Sequence, residues 1–387
     1  MRIVYCTDSI CDSGGIEHVT IAKANALADI AGNEVWILVM VNDRPPFFQL
    51  DPRVHLLNLD VNYWEANRRK TRLSRLWVLL GLKRTYKRKL RKALQEIRPD
   101  IVISTDRSEK NILASLAKHS RAVFIRELHF QSAHRRAEAS SVLQKMFAIF
   151  CEFLDSKVLI RRYDRIVTLT RKDKENYWKN HPKVLVLPNP LTSSGNPLSD
   201  LSAKTVVSAG RLDRLKNFNA LIRAWKSIGR KHPDWKLEIW GNGAERDNLK
   251  QSIHTEGLED SVFLMGATAD LPAKLSQASI FAFSSLYEGF AMVLTEAMSC
   301  GLPVVSYACP YGPEEIITDG KDGFLIPVGD EDKLTDRITC LIENETIRKE
   351  MGEAALEKSK QFEMKQIIEQ WMTLFQDLTE EKNDTKA

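Results

Sequence analysis

The stretch from Ser279 to Ser306 constrains this chain more than any other. Ser279-Ile280-Phe281-Ala282-Phe283 is a short apolar run suited to a buried strand. Tyr287-Glu288-Gly289-Phe290 makes a turn, and Ala291 to Met298 carries good helix formers with apolar residues at helical spacing. Cys300-Gly301-Leu302-Pro303-Val304-Val305-Ser306 then reads as a helix stop, a tight turn and a second buried strand. The same alternation runs through the whole chain and argues for parallel α/β sheets. Predicted strands in the first half are Ile3–Cys6, Val35–Val39, Val54–Leu57, Ile101–Ser104, Ala122–Ile125, Ile166–Leu169 and Val184–Leu187. The second set is Thr205–Ser208, Lys236–Trp240, Val262–Leu264, Ile280–Phe283, Pro303–Ser306 and Gly323–Ile326.

Pro188-Asn189-Pro190 and the polar stretch Ser193 to Ser202 separate the two sets. Two Rossmann-like domains are therefore expected, residues 1–195 and 203–362, facing a central cleft with ligands at the C-terminal edges of both sheets. A final helix, residues 363–378, is expected to return to the first domain, and Thr379 to Ala387 to be a polar, disordered tail.

Glu288 and Glu296 stand eight residues apart across the turn and the helix. At 1.5 Å per residue the spacing is roughly 12 Å, with Glu296 about two turns inside the helix. Between them lies a helix N-terminus whose free N–H groups can seat a phosphate, at Gly289, Phe290 and Ala291. Two hydroxyl acceptors flanking one anion site match the outline of a nucleotide sugar. Taken in isolation, the two residues would read as a carboxylate favoured by the helix dipole and an exposed helix residue. The strand before them and the stop and strand after them favour the functional reading.

Charge is unevenly spread. Residues 1–199 hold 34 Lys+Arg against 20 Asp+Glu, a net +14, and the remainder 22 against 31, a net −9. Residues 68–92 hold 12 basic residues and no acidic one, around Leu76-Trp77-Val78-Leu79-Leu80-Gly81-Leu82. That combination suits an anionic membrane surface, and equally a pair of helices with apolar faces inward and basic faces in solvent. No nucleic-acid motif accompanies the charge, so no nucleic-acid partner is expected. Six cysteines form no CxxC pair and no zinc spacing, in keeping with a reducing compartment. Met1 to Cys6 starts a strand at once, no signal peptide is read, and no apolar run approaches about 18 residues. A cytoplasmic protein is expected, peripheral on the inner membrane where the basic segment engages it.

Departure of a nucleoside diphosphate builds negative charge that a cation must meet. In Ser208-Ala209-Gly210-Arg211-Leu212-Asp213-Arg214-Leu215-Lys216-Asn217, Arg211 offers a bidentate fork and Lys216 a point charge, just after a strand. Asp330-Glu331-Asp332 has the spacing of a metal loop but starts a helix, and reads as an N-terminal cap. Gly14 and Gly15, ahead of the first helix, allow close backbone approach to a ligand but depart from G-x-G-x-x-G.

The strand–turn–helix with E-x7-E at Glu288 and Glu296 resembles the C-terminal domain of glycosyltransferase family 4, retaining enzymes of the GT-B fold. Gly210, Arg211 and Lys216 match that family's G-R-x-x-x-x-K, and Gly14, Gly15 and Glu17 its G-G-x-E. The resemblance implies a hexose moved from a UDP-sugar, a co-substrate rather than a cofactor, to a hydroxyl of a glycan or lipid-linked acceptor, without a metal. It implies that Arg211 and Lys216 hold the diphosphate, Glu288 the donor hexose and Glu296 the ribose. It places His129, in Arg126-Glu127-Leu128-His129, against the donor hexose or the acceptor hydroxyl, with Glu127 orienting it or the acceptor. His134 competes for that role, and Asp106 is a further acceptor-side candidate. Gly241 and Gly243, in Trp240-Gly241-Asn242-Gly243-Ala244-Glu245, and Ala267 would line the nucleotide pocket, while Glu245 reads as a helix cap. Gly312-Pro313-Glu314-Glu315-Ile316-Ile317 resembles a segment of transferases that build bacterial capsule, lipopolysaccharide or exopolysaccharide. Other readings open at this point are a GDP-mannose-dependent transferase, a GT-B epimerase or phosphorylase, and a basic membrane scaffold without activity.

Overall fold

The computed structural model describes residues 1–63, 72–118, 120–130, 132, 141–193 and 195–384. The chain divides into two compact units, Met1–Thr192 together with the chain from Met364 onward, and Ser193–Glu363.

The first unit holds seven parallel strands, β1 (Arg2–Thr7), β2 (Glu34–Val39), β3 (His55–Asn58), β4 (Ile101–Ser104), β5 (Val123–Glu127), β6 (Arg165–Thr168) and β7 (Val184–Val186), in the order β3-β2-β1-β4-β5-β6-β7. Successive side chains of a strand face opposite ways, so both faces of a parallel sheet need cover. Ile3 and Tyr5 of β1 pack on one face with Ile367, Trp371 and Phe375 of the terminal helix Met364–Asp384. Val4 and Cys6 pack on the other with Tyr86 and Leu90 of the helix Arg72–Ile97. The terminal helix thus belongs to the first unit although it follows the second in sequence. It runs to Asp384 rather than stopping at 378, its end held by Lys382 on Asp164 at 2.7 Å, so Thr379–Asp384 is helix and not a disordered tail.

The second unit holds six parallel strands, β8 (Thr205–Ala209), β9 (Lys236–Trp240), β10 (Val262–Gly266), β11 (Ile280–Phe283), β12 (Val304–Tyr307) and β13 (Gly323–Ile326), in the order β10-β9-β8-β11-β12-β13. Its core sets Val206, Leu237 and Ile239 against Phe218, Leu221 and Trp225 of the helix Phe218–Lys231. Both sheets are doubly wound. Strand order reverses between β1 and β4 in the first and between β8 and β11 in the second, and at such a reversal the flanking loops diverge and leave room for a ligand.

One difference from the predicted strands matters for chemistry. β5 runs two residues past Ile125, so Arg126 and Glu127 sit inside the sheet and are almost wholly buried. Ionic side chains tolerate such burial only when paired, and both are.

Candidate active site

At the reversal in the second unit, the loop after β8 is folded around one carboxylate. Asp213 Oδ1 accepts the backbone N–H groups of Leu215 and Lys216, at 3.0 and 3.1 Å. The loop is tied to the exit of β11: Leu286 N donates to Leu215 O at 2.8 Å and Ser284 Oγ to Lys216 O at 2.9 Å. The Lys216 stem crosses Gly210, where a Cβ would lie 3.3 Å from its Cε, and its ammonium stands 5.4 Å from the Phe283 ring centroid. So held, Lys216 Nζ reaches Glu288 Oε1 at 2.5 Å. The two side chains are 21% and 13% exposed. This pair spans the switch point itself, one partner following β8 and the other β11.

Arg211 is placed differently. Its Nε donates to Asp213 Oδ2 at 2.7 Å and its side chain is 77% exposed. The fork points into solvent, tethered at one end.

The turn after β11 is tight. Ala291 has φ 68°, a left-handed conformation costly for a residue with a Cβ, and it forms the N-terminal cap of the helix Met292–Ser299. The turn is braced by Gly312, where a Cβ would come 2.8 Å from Phe290 O and 3.2 Å from Glu288 Cβ. Ala291 offers no side-chain cap; Leu294 N donates to Ala291 O at 2.9 Å, which leaves the N–H groups of Met292 and Val293 to an anion. Because the helix begins only at Met292, Glu296 sits one turn inside rather than two, and the 1.5 Å rise does not apply from Glu288 to Ala291. The roughly 12 Å spacing expected from the sequence therefore has no helical basis. Glu296 is half-buried, and desolvation raises its pKa to about 7.

Gly241 and Gly243 have a packing role. A Cβ on Gly241 would lie 1.9 Å from Gly210 O, and one on Gly243 2.3 Å from Leu212 O. The ends of β8, β9 and β10 stack through backbone bonds, Gly210 N to Trp240 O, Leu212 N to Asn242 O and Gly241 N to Gly266 O. These glycines admit one loop against the next and so hold the Lys216 loop in place. Ala267, one residue beyond, is exposed. Glu245 stands at the N-cap of the helix Arg246–Glu256 and accepts from Asn248 Nδ2 at 2.9 Å. Asp330 caps the helix Glu331–Glu343 through Lys333 N at 3.0 Å. A groove of about 400 Å³ lies between the Phe218–Lys231 and Arg246–Glu256 helices and includes neither Lys216 nor Glu288. It is lined by helix flanks rather than by the loops at the strand-order reversal, and the chemistry favours the Lys216 site.

At the reversal in the first unit, Gly14 precedes the helix Gly15–Ala28, and the Glu17 carboxylate folds back over it. A Cβ on Gly14 would overlap Glu17 Oε2. Glu17 Oε1 lies 3.4 Å from an Arg107 amino group. Glu127 is paired with Lys23, a buried lysine on the Gly15–Ala28 helix, whose ammonium stands 4.4 Å from the Trp371 ring. His129 Nε2 is 3.7 Å from Glu127 Oε1. Both ring nitrogens of His129 are buried without a hydrogen bond, and desolvation lowers its pKa to about 4. Asp106, φ 63°, binds Arg126 at 2.7 Å and Lys110 at 3.2 Å, and Asp155 binds Arg126 at 3.0 Å. Asp106 is therefore committed to a buried ionic network rather than open to an acceptor. His134 lies outside the described residues.

Lys23 is the site residue the sequence reading missed. Ile16, Val19, Thr20, Lys23, Ala24 and Leu27 form the buried stripe of its helix. A lone lysine on an apolar stripe at helical spacing is the signal that could have found it.

Two doubly wound parallel units in one chain, each with a strand-order reversal, form the GT-B architecture. The family described as "Glycosyl transferases group 1" matches residues 193–358, and "Glycosyltransferase Family 4" matches residues 13–193. The chain is 27% identical to the amylovoran biosynthesis glycosyltransferase AmsD of Erwinia amylovora, over 96% of this chain and 98% of the relative. It is 30% identical to an exopolysaccharide phosphotransferase of Streptomyces coelicolor over its whole length, but spans only 42% of that protein. Anabaena HepE, crystallised with UDP, shares the fold, with a TM-score of 0.73 at 19% identity, covering 97% of this chain and all of that one. The chain is a glycosyltransferase of GT-B fold, related to the family 4 enzymes of bacterial capsule and exopolysaccharide synthesis.

Proposed function

We propose that the chain moves a hexose, with retention of configuration, from a UDP-sugar to a hydroxyl of a glycan acceptor carried on a lipid, in bacterial surface polysaccharide synthesis. The observation that carries this is the Lys216–Glu288 pair bridging the β8 and β11 loops. A cation and a carboxylate fixed side by side, next to an uncapped helix N-terminus, can receive a diphosphate and an adjoining sugar in one place.

In this reading Lys216 leaves Glu288 for the β-phosphate when the donor binds. Arg211 swings from Asp213 to the same charge, and the N–H groups that follow Ala291 complete the cradle. Glu288, released, accepts hydrogen bonds from donor hexose hydroxyls, and Glu296 takes the ribose. These groups do the charge neutralisation that a divalent ion performs elsewhere, so activity is expected to persist in a strong chelator. Buried His129, neutral at physiological pH, serves the sugar or the acceptor hydroxyl as a hydrogen-bonding group rather than a charge, and Glu127 orients it. The protein works at the cytoplasmic face of the membrane, where the basic segment 68–92 meets anionic lipid. Of that segment, Leu76, Trp77 and Leu80 are exposed, Tyr86 and Leu90 are core, and residues 68–71 lie outside the described residues.

Lys216→Ala is expected to lower kcat by about 10²–10³-fold while leaving the fold intact. Turnover measured across UDP- and GDP-hexoses, with donor binding by calorimetry, is the check. Unchanged turnover in that variant removes Lys216 from the mechanism, and turnover with GDP-sugars alone corrects the donor. Flotation of Lys/Arg→Gln variants within 72–92 on anionic liposomes tests the membrane contact, and undiminished binding removes its support.

A further inference from the structure

We infer that the helix Val142–Lys157 is an interfacial membrane anchor that lays its apolar face into an anionic bilayer. Leu143, Met146, Phe147, Phe150 and Phe153 are all exposed, Leu143 to 79% and Phe147 to 67%. At 100° per residue the large apolar side chains between 142 and 154, Ala148 and Cys151 aside, fall within one arc of about 160°. No acidic residue lies in that arc; Glu152 and Asp155 are on the opposite side. A soluble helix ordinarily turns such a face to the core, and here it faces away.

The orientation is fixed from underneath. Ala148 and Glu152 are the buried positions of the helix. Asp155 binds buried Arg126 at 3.0 Å and Lys110 at 3.4 Å, and Tyr177 Oη donates to Glu152 O at 3.3 Å. Rotating the apolar face inward would break both Asp155 pairs and leave buried Arg126 with Asp106 as its one remaining carboxylate among the described residues. The helix start is fixed as well, by reciprocal bonds between Ser141 and Gln144. The outward apolar face is thus held in place by a buried ionic network.

Charge identifies what covers it. Residues 1–199 carry a net +14, Lys145 borders the face and Lys157 ends it. A second copy placed there would bring two strongly basic units together, whereas an anionic leaflet attracts both the helix and the basic run 72–92. Sixteen residues span roughly 24 Å, short of the roughly 30 Å hydrocarbon core. Among the described residues no helix is long and apolar enough to cross a membrane. The mode is therefore insertion at the interface, with the Val142–Lys157 helix supplying apolar area and the Arg72–Ile97 helix electrostatic attraction, the two signals that stable anchoring needs. The docking rests on the transferase reading only in that a lipid-linked acceptor would be met there.

The test uses the full chain with phosphatidylglycerol–phosphatidylcholine vesicles and with pure phosphatidylcholine vesicles. The double variant Phe147→Ser/Phe150→Ser is expected to lose at least about tenfold in partitioning to the anionic vesicles. Its circular dichroism and its UDP binding by calorimetry should stay as in wild type. A Phe150→Trp reporter should be quenched by iodide in buffer, then blue-shift and become quenched by brominated lipid on anionic vesicles. Unchanged partitioning of the double variant overturns the inference. So does a reporter already shielded from iodide without lipid, or light scattering that shows a dimer which the double variant dissolves. UDP binding is read in the same samples, so unchanged vesicle partitioning with donor binding intact sinks the anchor alone, and absence of UDP binding in the wild type sinks the transferase reading alone.

Discussion

The two strand-order reversals hold similar residues and use them in opposite ways. In the first unit the charges neutralise one another out of water: Lys23 with Glu127, and Arg126 and Lys110 with Asp106 and Asp155. In the second unit Lys216 and Glu288 are partly wet, Arg211 is tethered at the surface and Glu296 is half-buried with a raised pKa. A pair locked in the interior cannot be exchanged for a ligand without a large desolvation cost, whereas a partly solvated pair at a loop edge is exchanged at less cost. The first reversal is built as a rigid wall and the second as a set of contacts open to exchange.

The largest effect should separate the two at once. Glu127→Ala leaves the Lys23 ammonium buried alone and is expected to destabilise the first unit by about 3–5 kcal/mol. Lys216→Ala should cost about 1 kcal/mol or less in stability. Chemical denaturation of both variants is the measurement, and equal losses would erase the contrast. Replacing both partners, Lys23→Met with Glu127→Leu, should restore most of the stability.

A pH experiment sharpens the comparison further. Glu296 has a folded pKa of about 7, above its ordinary value near 4.5. Its contribution is fully present below the unfolded pKa and is lost as pH rises through 7, because the folded state then has to hold an ionised, desolvated carboxylate. Glu296→Gln should therefore raise stability at pH 8 by about 1–3 kcal/mol and change little at pH 4. It should also weaken donor binding. A flat difference across this range would mean that Glu296 is solvated.

His129 shifts the other way, to about 4. Folding favours its neutral form, so the wild type should lose stability as pH falls below about 6.5 toward 4. His129→Gln should flatten that slope in thermal melts, and an unaltered slope would place the acid sensitivity elsewhere. The smallest effect is expected at Arg211, whose exposed side chain adds little to the fold. Arg211→Ala should cut kcat about tenfold, with no detectable change in melting.

Much of this could be read in advance. Every strand of both sheets lies within two residues of an apolar run recognised in the chain, because buried parallel strands must be apolar on both faces. Glu288 and Lys216 stood out for their places after such strands. Other features could not be resolved from the sequence for a physical reason. Gly241 and Gly243 signal a close backbone approach, but the sequence cannot say whether a ligand or the neighbouring loop makes it. Arg126 and Glu127 looked like a strand end because charge usually marks one, and here partners far along the chain carry them into the sheet.

The order of residues alone therefore settled the alternation of strands and helices, the two parallel sheets, and which polar residues follow which strand. Those depend on local periodicity and on the chain's need to bury apolar faces. Tertiary structure decided which charges meet, since Lys216 finds Glu288 across 72 positions and Lys23 finds Glu127 across 104. It also decided that the apolar face of the Val142–Lys157 helix turns outward. Periodicity reports that a helix has an apolar side; only the packing of its other side fixes where that side points.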